Sequence, residues 1–223
     1  GASFGYTLPK DKFRQPYIAR QVRVTVPVHL APLSWTTFQL LEGKAPHHDG
    51  LFQNGVIDTP FVTLSIDDGL TLYDKTTNEA YEDFLRFEDR GDIGNEYIYF
   101  QPKGTEPIYA ELTAYEVLEN NARYAKILLN HDLTIPVSAD EQLDAEQRGI
   151  IEFMNRKASR SEEVTTIPLE TEMTIFVDDP QIRFKTRFTN TAKDHRIRLL
   201  VKTHNTRPSN DSESIYEVVT RPN

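Results

Sequence analysis

The segment RFEDRGDIGNEYIYFQPKGTEP (86–107) sets five acidic residues, three glycines and two tyrosines between two apolar runs. Glu88, Asp89, Asp92 and Glu96 supply enough carboxyl groups for hydrolysis of a glycosidic bond, which takes one carboxyl as acid and a second as nucleophile or base. Nearness in sequence does not give the facing geometry that this chemistry needs. The plainer expectation is a solvated loop in which Asp and Asn build turns. A calcium loop asks for oxygen ligands at alternating positions around a central glycine. Counting from Asp89 brings up Gly91 and Ile93, which fails, while another geometry through Asp92, Asn95 and Glu96 stays open. Tyr97 and Tyr99 are two apart, so on an extended chain they share a face, and one can pack while the other reaches a ligand.

Other chemistry-bearing residues are sparse. His47 and His48 are adjacent and followed by Asp49, but neighbours on a strand point to opposite faces. No two histidines have the spacing that puts a zinc pair on one helix face. His195 and His204 flank one apolar run at too great a distance for a local site. The chain has neither a Gly-x-Ser-x-Gly elbow nor a glycine-rich phosphate loop. Trp35, the only tryptophan, is expected in the core of a strand rather than as a sugar-stacking platform.

A chain of 223 residues with 38% apolar and 26% charged residues has the means for one large all-β domain or two smaller units. A net charge of −9, with Lys and Arg scattered, argues against nucleic acid as a partner. No apolar run approaches the roughly 18 residues of a membrane span. With no cysteine there is no disulfide, thiolate nucleophile or thiolate metal site, which fits a cytoplasmic location. Gly1-Ala2-Ser3 reads as an expression remnant before a chain that starts in mid-phrase, and VTRPN closes it directly after a strand. Both ends suggest a piece of a longer protein.

Period-2 alternation dominates the pattern. ARQVRVTVPVHL (19–30) puts Val22, Val24, Val26 and Val28 on one face, with Gln21, Arg23, Thr25 and Pro27 on the other. FVTLSI, KILLNHDLTIPV, EMTIFV, QIRFKTRFTN, RIRLLVKT and IYEVVT read likewise as strands. Asn54-Gly55, Asp68-Gly69, Lys103-Gly104 and VDDPQ (177–181) mark turns, and TNTAKDH (189–195) predicts a hairpin. One stretch, 139–163, is rich in helix formers and spaces Leu143, Ile150, Ile151 and Met154 as a helix would, with Gly149 in its middle. It predicts a short inserted surface helix of structural role. EGKAPHHDG (42–50) reads as a linker, giving a partial small β-module over 1–50 and a larger β domain over 51–223 that is expected to be truncated.

DDGLTLYDKTTNEAYEDFLRFEDRGDIGNEYIYFQP resembles the opening of the C-terminal β region of glycoside hydrolase family 38, the α-mannosidases. FTNTAKDHRIRLLVKT (188–203) is similar to a later hairpin of that family, YEVVTRP to the strand after it, and RQVRVTVPVHLAPLSWTTFQL to its small β-module. The resemblance covers nearly the whole chain and departs at 139–163. It implies a large two-sheet, mutarotase-like supersandwich after the small module. It also implies that the catalytic and zinc-binding residues of a retaining α-mannosidase lie in an N-terminal barrel outside this chain. The chain would then hold no cofactor and be inactive alone. Its partners would be that barrel, a helical bundle and a mannose-containing glycan, with homo-oligomerisation of the parent left open. By its place in the phrase, Tyr97 corresponds to a tyrosine that approaches substrate from the β region, while Asp92, Gly94 and Glu96 would shape its loop. A free-standing carbohydrate-binding module would instead need an exposed aromatic platform. An epimerase-like sugar enzyme would need a histidine and a carboxylate in a cleft, with His131 and His195 as its candidates.

Overall fold

The computed structural model describes residues 2–7, 15–20, 24, 26, 28–39, 41, 43–44, 48–66, 69–204 and 206–222, the first two segments as backbone. His47, Asp68, and Gln21, Val22, Arg23, Thr25 and Pro27 of the first valine row lie outside the described residues. The chain divides into two compact units, Gly1–Pro46 and His47–Asn223, and the 42–50 linker straddles the division.

In the first unit, β1 (Ala2–Thr7) and β2 (Gln15–Arg20) pair antiparallel, with Ala2 opposite Arg20 and Thr7 opposite Gln15. The strand expected over 19–30 is seen only as the end of β2. Val24, Val26 and Val28 are exposed and outside any strand. Alternation makes a strand only where a neighbour pairs with it and a core covers its apolar face. No described element of this unit does either. Trp35, expected in the core, is outside any strand and 85% exposed.

The second unit begins with an antiparallel meander: β3 (Phe52–Gln53), β4 (Val56–Asp58), β5 (Val62–Ser65), β6 (Thr71–Asp74) and β7 (Glu79–Tyr81). Asn54 and Gly55 take φ of 50° and 78°, a turn whose twist matches the strands it joins. There follow β8 (Arg86–Gly91), β9 (Ile108–Tyr109), β10 (Glu111–Asn120) and β11 (Tyr124–Pro136). Helix α1 (Glu141–Arg148) and a 3-10 turn (Phe153–Asn155) come next. The chain ends with β12 (Val164–Phe176), β13 (Ile182–Arg187), β14 (His195–Leu200), β15 (Ser209–Ser214) and β16 (Glu217–Pro222). Besides the meander, the sheets run β10-β11-β12-β13, β14-β8-β9 and β15-β16. All of these pairings are antiparallel, and the fold is all-β with one short helix.

Alternation fixes the core. Ala125, Ile127, Leu129, Leu133 and Ile135 of β11, with Ile167, Leu169, Met173 and Ile175 of β12, turn inward to meet Ile57, Leu64 and Leu72 of the meander and Phe87 of β8. Each such side chain larger than alanine contributes about 1.5–3 kcal/mol on burial. Two expectations need correction. The 189–195 connection is not a hairpin: β13 pairs with β12, whereas β14 pairs with β8, so the chain changes sheets there. The 139–163 helix is confined to Glu141–Arg148, because Gly149 caps it, its N–H donating to the Ala145 carbonyl. Ile150 then takes φ of 53°. Leu143 is buried, while Ile150, Ile151 and Met154 are exposed.

Candidate functional site

Where β8 ends, the chain enters a braced loop over residues 92–100. The Asp92 carboxylate accepts from the Gly94 N–H (2.9 Å) and the Phe100 N–H (3.1 Å), joining the loop's two stems. Asn95 Oδ1 accepts from the Tyr97 and Ile98 N–H groups, both at 2.9 Å. Backbone bonds run from the Ile93 N–H to the Phe100 carbonyl and from the Asn95 N–H to the Ile98 carbonyl. These bonds take up the N–H groups of Ile93, Gly94, Asn95, Tyr97, Ile98 and Phe100 within the loop, bracing it without a strand partner. Tyr97 stands at its tip, 86% exposed. Glu96 is exposed beside it and makes none of the loop's hydrogen bonds, a task that falls to Asp92 and Asn95. Tyr99 turns back to the body, with the Arg196 guanidinium 3.6 Å from its ring centroid and its hydroxyl on Gln101.

Gly94 is required by close approach. A Cβ there would lie 1.8 Å from the Ile98 carbonyl oxygen and 2.9 Å from the Phe100 nitrogen, both backbone atoms. Gly94→Ala is therefore expected to open the loop and lower unfolding free energy by about 2 kcal/mol, as overpacking does. Amide hydrogen exchange should quicken across 93–100 and stay unchanged in β11 and β12. Unaltered exchange at 93–100 would refute the close approach.

The 139–163 insert packs on this loop. Ile93 joins Ala139, Leu143 and Ala158 in a second, smaller core against which Phe100 rests. The Phe153 ring meets the Phe100 ring edge-on at 5.7 Å. Arg156 Nη1 donates to the carbonyls of Ile93 and Gly94, each at 2.6 Å. Buried Glu146 closes the insert on itself, accepting from the Lys157 and Ala158 N–H groups and from Gln142. From the other side, the Asp194 carbonyl accepts the Asp92 N–H, and its carboxylate accepts the Ala139 N–H. Sequence reasoning missed Arg156 and Asp194, since a cation aimed at carbonyls leaves no local signature.

Glu88 and Asp89 are not in the loop at all, contrary to the solvated-cluster expectation. They lie in β8, which is flanked by β14 and β9 and buried at Phe87, Glu88 and Asp89 in succession. Asp89 is fully buried; it pairs with Arg160 through one oxygen and with His195 Nδ1 through the other at 2.6 Å. His195 Nε2 faces Asn190 Oδ1 at 3.0 Å, an oxygen that also accepts the Ala192 N–H. Both ring nitrogens thus have an oxygen within hydrogen-bond distance, which fixes the ring in place. On the opposite face, Glu88 binds Arg90 at 2.9 Å and, directly across the strand pair, Arg198. The Arg90 hydrogen bonds, joined by Arg198 and opposed by burial, hold the Glu88 carboxyl down at about 2. The legible signal was Glu-Asp in one strand facing Arg-x-Arg in another, but the pairing of β8 with β14 spans about a hundred residues.

The arrangement does not provide general acid–base chemistry. Each of these two carboxylates is committed to cations inside the fold, and the His195–Asp89 pair lies at 3% and 0% exposure rather than in a cleft. His131 packs edge-on against Phe87 at 5.2 Å with no carboxylate partner. His204 stacks on Tyr81 at 4.8 Å. A shallow hollow beside Asp49, Leu51 and Val56 includes Asp58, whose carboxylate is held by Lys75 and Thr63. Among the described residues no group of three His, Cys, Asp or Glu side chains is placed to hold a metal ion. No helix among them is long and apolar enough to cross a membrane.

What remains is an all-β chain with a braced loop that exposes a tyrosine at its tip, and its fold has close counterparts. It superposes on an alpha-mannosidase from Enterococcus faecalis V583 with a TM-score of 0.78 and 37% identity, over all of this chain and 26% of that one. A protein in glycosyl hydrolase family 38 from Enterococcus faecalis matches with the same TM-score and 34% identity, over all of this chain and 27% of that one. The pattern of the glycosyl hydrolases family 38 C-terminal domain 1 matches residues 1–42. A protein named "Putative mannosylglycerate hydrolase" from Halalkalibacterium halodurans is 33% identical over all of this chain and 26% of its own length. The chain belongs with the C-terminal region of glycosyl hydrolase family 38, and it spans about a quarter of the length of these relatives.

Proposed function

We propose that this chain is an accessory β region of a retaining, zinc-dependent α-mannosidase, acting on a mannose-containing substrate together with a catalytic barrel and helical bundle outside the chain. Its contribution is the 92–100 loop, which carries Tyr97 to the rim of the sugar site. The observation that carries this reading is an 86%-exposed tyrosine at the tip of a loop braced by the Asp92 and Asn95 side chains. A tyrosine offers a sugar an apolar face and one hydroxyl at little entropic cost, and a braced loop loses little freedom when it binds. Zinc would be held by the barrel, as the family resemblance implies. The exposed Leu33, Trp35, Phe38 and Leu41 of the first unit support a surface covered by another part of a longer protein.

The test is Tyr97→Ala in the full-length protein, assayed on p-nitrophenyl α-mannoside and on mannosylglycerate, since the relatives' names share the mannosyl group. KM is expected to rise about tenfold with kcat little changed, the mark of lost ground-state binding. Unchanged KM on both substrates would overturn the rim assignment.

A further inference from the structure

We infer that Arg156 is a positioning residue for the substrate site, and that the 139–163 insert serves as the buttress through which it acts on Tyr97; this rests on the rim reading above. A loop tip can present a side chain reproducibly only if its stems cannot rock. The first stem is held by Asp92 and by the Asp194 carbonyl. The outer half, approaching the tip, has a different hold: the carbonyls of Ile93 and Gly94 both point to one nitrogen of Arg156. Those two oxygens have no other partner to replace it on the loop side, and a charged donor makes the stronger kind of hydrogen bond. Arg156 is itself fixed, because its Nε donates to the Ile151 carbonyl at 3.2 Å and its neighbour Phe153 packs on Phe100. The insert is rigid in turn: Asp140 caps α1 at the Gln142 N–H, and Asp140 Oδ2 accepts the Ser159 N–H. Thus α1, the 3-10 turn and Arg156 form a short bracket with one outlet, the backbone at Ile93 and Gly94. Three residues beyond Gly94 stands Tyr97. Among the hydrogen bonds of the described residues, Arg156 makes the insert's charged contact with the loop, so removing the guanidinium is expected to leave the small core intact and loosen the tip.

The experiment uses the full-length protein with p-nitrophenyl α-mannoside as probe. Arg156→Met keeps the apolar stem but removes both hydrogen bonds; it is expected to raise KM about five- to tenfold with kcat within twofold. Arg156→Lys, which retains one charged donor, should recover part of that loss. Combined with Tyr97→Ala, Arg156→Met should add less than twofold, because it acts through the same side chain. Hydrogen exchange at 93–100 should quicken in Arg156→Met while β11 and β12 keep their protection, which excludes general misfolding. If Tyr97→Ala raises KM and Arg156→Met does not, the positioning role falls and the rim reading stands. If Arg156→Met raises KM while Tyr97→Ala leaves it unchanged, the action through Tyr97 falls together with the rim reading. Additive effects of the two substitutions would also overturn the inference.

Discussion

Asp89→Asn is expected to lower the unfolding free energy of the chain by about 3 kcal/mol, the scale seen when one member of a buried charge pair is removed. The substitution preserves volume, so no cavity enters the comparison. What changes is the partner set: Arg160 and His195 both approach the Asp89 carboxylate, and an amide can accept on one side only. Whichever way the amide turns, the Arg160 guanidinium loses the carboxylate charge opposite it, with its side chain only 7% exposed and unable to turn to water. Arg160 Nε and Nη2 already lack partners, so no second acceptor stands ready. The contrasting case is Arg198→Met. Glu88 would keep Arg90, and the Arg198 side chain is 39% exposed. Losing the more exposed of two cations, with the buried Glu88 still paired to the other, costs about 0–1 kcal/mol. Urea unfolding of the two variants against the parent chain measures both. Equal losses would mean that burial does not decide the value of these pairs. The loss in Asp89→Asn should also reach the loop, because His195 follows Asp194, whose carbonyl and carboxylate hold Asp92 and Ala139.

The strands were legible because β11 and β12 obey a strict alternation, with Ile127, Leu129 and Leu133 facing Leu169 and Met173 across one core. The Asn54-Gly55 turn was equally plain, since two consecutive positive φ values favour that pair. Pairing partners were not legible. The strands on either side of 189–195 read as one hairpin, yet β13 and β14 enter different sheets, and a choice between sheets depends on the whole core rather than on the turn. In the loop, Asp92 was singled out by residue type and Tyr97 by its place in the family phrase, whereas Glu88 and Asp89 were misplaced into it. Charged residues in a strand buried on both faces look like loop residues until their cations are located, and here, Arg90 apart, the cations come from 71 to 110 positions away. Helical spacing misled at 150–154 because Gly149 ends the helix before Ile150 and Ile151 can share its face with Leu143.

Between pH 6.5 and 4 the chain is expected to lose stability through His131, a residue with no part in the proposed site. Its ring sits on the inward face of β11 between Leu112 and Leu169 in the flanking strands, against Phe87, and burial pushes it down to about 4 from the ordinary 6.5. The sign follows from proton uptake. Below pH 6.5 the unfolded chain binds a proton at this histidine and the folded chain does not, so stability falls with pH until the folded ring protonates near 4. Over that window the loss amounts to about 3 kcal/mol, taking 1.36 kcal/mol per unit. Further acidification adds a second loss from Glu88, whose carboxyl is ionised in the fold down to about 2 but protonates from 4.5 downward once unfolded. His131→Leu should separate the two. It removes a buried Nδ1 without a partner, so at pH 7.5 the variant is expected to be more stable by about 1–2 kcal/mol. Its stability should be flatter than the parent's from 6.5 to 4 and fall in parallel with it below 4. Urea midpoints at pH 7.5, 5.5, 4.5 and 3.5 supply the comparison, and subtracting one curve from the other cancels every other titrating group. A difference curve that is level from 7.5 to 3.5 would mean that the His131 ring binds its proton as readily in the fold as in the unfolded chain.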